Sequence, residues 1–61
     1  MPGYPAPHAV RNDRFGRSFI VKIAGTNDCL TLSGKRAVHP VVMSSDEALG
    51  AIAAYHERMN G

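Results

Sequence analysis

The sequence predicts an α+β fold: a small antiparallel β-meander of two or three strands packed against one C-terminal amphipathic helix. Three observations predict it. Residues 18–24 are rich in β-branched and aromatic residues and residues 29–33 alternate, with a turn cluster between them. A serine cap at position 44 opens a stretch with helical periodicity that runs to the chain end. The start of the chain has neither pattern.

Residues 1–14 read as a flexible, Pro-rich, basic N-terminal arm, and 15–61 as a single domain. Pro2, Pro5 and Pro7 favour extended, polyproline-like backbone and cannot donate to a ladder. Pro2-Gly3-Tyr4-Pro5 fits the loose P-x-x-P pattern, which is common by accident and compatible with a plain flexible terminus. The stretch Ser18-Phe19-Ile20-Val21-Lys22-Ile23-Ala24 is the clearest strand. Its pleat sends Phe19, Val21 and Ile23 one way and Ser18, Ile20, Lys22 and Ala24 the other.

Gly25-Thr26-Asn27-Asp28 is a turn. Cys29-Leu30-Thr31-Leu32-Ser33 follows as a second strand with Leu30 and Leu32 on one face, closing a hairpin. Gly34-Lys35-Arg36 turns the chain again. Ala37 to Met43 is a third strand that Pro40 must either confine to an edge or break.

The helix begins at Ser44. Glu47 stands three residues on, so the serine oxygen and the glutamate carboxylate can cap each other's backbone amides. Asp46 and Glu47 also suit the positive end of the helix dipole. On a helical wheel Ala48, Leu49, Ile52, Tyr55, His56 and Met59 share one side, and Asp46, Glu47, Gly50, Ala54, Glu57 and Arg58 the other. The expected core is Phe19, Val21, Ile23, Leu30 and Leu32 against Leu49, Ile52, Tyr55 and Met59.

That core is thin. Of 61 residues 44% are hydrophobic, but many are alanines. Domains this short usually need a disulfide, a metal or a second chain. Cys29 is the one cysteine, so no internal disulfide forms, and it suits a reducing compartment. The opening residues lack the apolar run of a signal peptide, and no stretch approaches the ~20 apolar residues of a membrane span. The expectation is a cytoplasmic protein that makes no membrane contact.

Reaction chemistry finds little support. His8, Cys29, His39 and His56 lack the short spacings of zinc motifs, so no metal and no other cofactor is expected. His56, inside the apolar stripe, reads as a partly buried structural histidine or a pH-sensitive contact. Cys29 reads as a small hydrophobe, without a base and orienting group that spacing alone would supply. Ser33-Gly34-Lys35 is a turn and has no phosphate-loop spacing. The expected protein is therefore no enzyme.

Two kinds of binding remain. One is contact with a protein partner or with a second copy, as a homodimer. Ile20 and Val41 are expected to face away from the helix, with Lys22, Lys35, Arg36 and His39 as their polar rim, and an open edge strand is a ready docking element. This favours a small non-catalytic regulatory or inhibitory protein, of the accessory kind that phages and mobile elements encode. The alternative is a DNA- or RNA-binding regulator. Arg11, Arg14 and Arg17 recur every third residue with Phe15 interleaved, and Lys22, Lys35 and Arg36 add cations on the sheet and a hairpin tip. The strand–strand–strand–helix order resembles the arm-binding domains of some phage integrases and plant AP2-type domains. The resemblance lies in the order of elements and implies a sheet that enters a DNA groove. The net charge of +2 is compatible with either binding mode.

Overall fold

The computed structural model describes residues 6–60. Its elements are β1 (Pro7–Arg11), β2 (Phe19–Ile23), β3 (Cys29–Leu30), β4 (Arg36–Ala37) and α1 (Ser45–Asn60). The four strands form one antiparallel meander in the order β1-β2-β3-β4, and the helix follows it. The fold class is the expected one, with one strand more than the upper count.

The additional strand is β1, and it corrects the expected 1–14 arm. Residues 7–11 pair along their whole length with β2, Pro7 opposite Ile23 and Arg11 opposite Phe19. Asn12 N–H donates to the Ser18 carbonyl at 2.9 Å, and Ala24 N–H to the Ala6 carbonyl at 3.1 Å. The hydrogen-bonded pairs are therefore the even-numbered residues of β1. Pro7 is odd-numbered, so its missing N–H falls on the outer edge, where a proline costs the ladder nothing. The proline signal was real but sat in a harmless place. The reading of Pro2 and Pro5 lies outside the described residues.

Turns are built from local side chains. After β2, Gly25 takes a φ of 77°, while the Thr26 hydroxyl donates to the Ile23 carbonyl and accepts from the Asp28 amide. After β3, the Thr31 amide donates to the Lys35 carbonyl at 2.8 Å, and the Thr31 hydroxyl accepts from the Lys35 amide at 3.1 Å. Leu32 thus lies in this turn and is exposed, and the expected 29–33 strand shortens to two residues.

The expected third strand is broken, ending at Ala37 before the chain reaches Pro40. Only Ala37 of it belongs to β4, and Met43 returns alone to pair with Phe19 through two backbone bonds of 2.8 and 2.9 Å. Between them the chain crosses the end of the meander. Val41 packs against the core in this crossing, which corrects its expected place on the far side of the sheet.

The helix starts as read. Ser44 N–H donates to Glu47 Oε1 at 2.8 Å, and Glu47 N–H donates to Ser44 Oγ at 3.2 Å. The buried stripe is rotated from the wheel, however. Ala48, Ala51 and Tyr55 are buried and Ile52 partly so, while Leu49 and Met59 are exposed. Small side chains let the helix backbone come close to the sheet, and the space goes to Val21, Ile23, Leu30 and Met43. Each of the fully buried aliphatics contributes about 2 kcal/mol.

The hairpin that joins β3 to β4 is docked directly on the helix. Gly34 has a φ of 82°, and a Cβ there would lie 2.7 Å from both the Ala54 Cβ and the Tyr55 backbone nitrogen. Arg58 Nε donates to the Ser33 carbonyl at 3.3 Å beside it. Only glycine fits both the backbone angle and the gap.

Candidate functional site

The pleat of β2 decides what the two faces of the sheet present. Val21 and Ile23 go under the helix. Ile20 and Lys22 go to the outer face, where their β1 neighbours are Val10 and His8. On the other flank Cys29 stands opposite Lys22. A groove of about 260 Å³ opens there, lined by Val10, Ile20, Lys22, Cys29, Val38 and Pro40 among others. Cys29 is 4% exposed and a free thiol. The lining is mostly apolar, with Lys22 as its cation.

The groove adjoins an open strand edge. Because the even residues of β1 face β2, the N–H and C=O of Ala9 and Arg11 and the C=O of Pro7 point outward. This is one of the two edges of the sheet, β1 having one neighbour. An edge was expected at the strand carrying Pro40, and β4, what remains of that strand, does lie at one end of the meander; β1 forms the second edge, at the other end and beside the groove.

Of the residues expected to meet a protein partner, Ile20 and Lys22 line the groove. His39 is exposed on the crossing segment between the two groove residues Val38 and Pro40. Lys35 is exposed on the turn that docks against the helix. Arg36 is held by Asp28 at 3.0 Å, and both groups are open enough to solvent that the pair adds little stability. Val41 is absent from the surface patch for the reason given above. Val10, Val38, Pro40 and Cys29 are members that the sequence did not indicate. Val10 joins only because β1 forms, and Cys29 because its strand places it opposite Lys22.

The cationic residues divide differently. Arg11, Arg14 and Arg17 are gathered on the hairpin that joins β1 to β2, whereas Lys22, Lys35 and Arg36 belong to other elements with other neighbours. In that hairpin Asp13 Oδ1 accepts from the amides of Arg17 at 2.9 Å and Ser18 at 3.3 Å. Gly16 takes a φ of 70°, and the Arg11 side chain lies over it. The Arg14 guanidinium stands 5.2 Å from the centre of the Phe15 ring.

His56 is half-buried on the helix, its ring edge-on to Tyr55 with centroids 6.1 Å apart. Among the described residues no three His, Cys, Asp or Glu side chains gather as metal ligands would, and no helix is long and apolar enough to cross a membrane. No family model, curated protein or solved structure matches the chain.

Proposed function

We propose that the chain is a small non-catalytic binding protein, regulatory or inhibitory in effect, that seats a protein partner on the outer face of its sheet. The observation that carries this reading is the apolar groove around Ile20 with the open edge of β1 beside it. A contiguous apolar surface next to unpaired strand groups is what strand addition uses: backbone bonds supply affinity and the groove supplies selectivity. The free thiol of Cys29 fits a reducing compartment, and the cytoplasm is where we place the protein.

A second copy is the partner this surface fits first. Two β1 strands paired antiparallel about Val10 would set Ala9 of each opposite Arg11 of the other. Each outward N–H would then meet an outward C=O. Val10 would touch its counterpart, and the two grooves would join through the Val10–Ile20 pairs. Sedimentation velocity and thermal melts over a concentration series test this. A dimer whose melting temperature rises with concentration is expected. Ile20→Lys should weaken association and leave the monomer folded. Ala9→Pro, which removes an outward donor and spares the β1–β2 ladder, should act the same way. A monomer at high micromolar concentration would rule out self-pairing. Capture of a different protein, lost in Ile20→Lys, would then be the form in which the reading stands.

A further inference from the structure

We infer that the hairpin between β1 and β2 is a contact for single-stranded nucleic acid, separate from the groove and independent of the reading above. The loop carries Arg14, Phe15 and Arg17, with the Arg11 side chain folded over Gly16 at its base. Phe15 is 72% exposed, the second most open of the large apolar residues described. An aromatic ring held out in solvent does nothing for this core. Its one described companion is the Arg14 guanidinium at 5.2 Å.

Local acid does not cancel the charge. Asp13 is the carboxylate of this loop, and one of its oxygens is committed to the Arg17 and Ser18 amides. That bonding, with the positive φ of Gly16, holds the loop in a defined shape, so the arginines and the ring are presented with little ordering cost. Guanidinium forks match phosphate oxygens. The free face of Phe15 offers a platform for one base, and an arginine beside a ring extends that platform. A duplex would hide its bases from such a ring, which is why the single strand is the better fit. A phosphatidylserine surface would also attract the arginines. The loop, however, offers one apolar side chain to insert, and that ring is already partnered by a guanidinium.

The test is fluorescence anisotropy of the full chain with labelled oligo-dT and oligo-U of about 12 nucleotides, over a salt series, with phosphatidylserine vesicles in parallel. The wild type should bind the oligonucleotides with a slope of about −2 in log affinity against log salt. Phe15→Ala should lose roughly tenfold in affinity and Phe15→Trp should keep it. Arg11→Gln, Arg14→Gln and Arg17→Gln together should abolish binding. These side chains are exposed, so circular dichroism and melting should stay as in the wild type. Absence of oligonucleotide binding, binding that ignores salt, or equal affinity in Phe15→Ala would overturn the inference. Binding to vesicles alone would overturn it too, and would assign the loop to a lipid surface. Ile20→Asn, which makes the groove polar without adding charge, should leave oligonucleotide affinity unchanged, which keeps this outcome apart from that for the groove.

Discussion

On the helix side of the sheet Val21 and Ile23 are sealed from solvent; on the other side Val10 keeps 38% and Val38 76% of their surface exposed. The same strand feeds both sides, since β2 alternates between them residue by residue. The difference comes from supply. One helix of 16 residues can cover one face of a small sheet, and the chain has no second layer to cover the other among its described residues. Single exposed apolar residues are ordinary. Here they are neighbours around one groove, so the uncovered face is a better place to look for a partner than the covered one.

The largest expected contrast sets one residue from each side against the other. Tyr55 is the largest fully buried side chain. Tyr55→Ala should cost about 3–5 kcal/mol, enough to unfold a domain of this size. Val38→Ala should stay within about 0.5 kcal/mol. Urea titrations followed by circular dichroism read both. Equal losses would break the distinction between the two faces.

Two glycines sharpen it next. Gly34→Ala must fit a methyl group at φ 82° and 2.7 Å from helix backbone. A cost of about 3 kcal/mol is expected, because neither the αL angle nor the helix can give way cheaply. Gly50 has nothing within 4 Å of the site of its absent Cβ. Gly50→Ala should therefore stabilise by about 0.5–1 kcal/mol through helix propensity alone. Loss of stability in Gly50→Ala would mean that the polar side of the helix is covered by something, and that the molecule has a second buried face.

The helix start is a smaller, local effect. Ser44→Ala removes the acceptor of the Glu47 amide and should cost about 1 kcal/mol. Urea melts of that variant and of Glu47→Gln should agree in sign. A Ser44→Ala variant as stable as the wild type would show that the tight Met43–Phe19 pair alone fixes where the helix begins.

What could be read in the sequence follows from how local each signal is. The capping box needs four consecutive residues and was legible in full. β2 was legible because its β-branched and aromatic content is high enough to stand alone, and an interrupted strand around Pro40 because a proline cannot donate to a ladder. β1 was not legible. Its residues are Pro, His, Ala, Val and Arg, with a weak pattern, and its order comes from pairing with β2. Everything that depends on β1 was hidden with it, including the groove's Val10 and the open edge beside it. Gly34 illustrates the same limit: a turn glycine was evident, but its seat on Ala54 and Tyr55 is a contact across twenty residues.

The rotated stripe of the helix gives the smallest effect and the most direct check on which side faces the sheet. The wheel puts Leu49 among the apolar residues, yet it is 67% exposed, while Ala51, assigned to neither side, is fully buried. Hydrophobicity chose the larger side chains; packing chose the smaller ones, because the helix sits close to the sheet. Leu49→Lys should therefore change stability by less than about 0.5 kcal/mol, since the two residues have similar helix propensity and the lysine stem can lie along the surface. Asp46 stands three residues before it, and the new pair should tilt the balance slightly toward stabilisation, by about 0.2–0.5 kcal/mol that fades in salt. Ala51→Lys is the control and should not fold, because a charge would enter a site with no room and no partner. If the outcomes were exchanged, with Leu49→Lys unfolding the chain and Ala51→Lys tolerated, the helix would face the sheet as the wheel has it. The contrast between a sealed face and an open one would then have to be redrawn around Leu49.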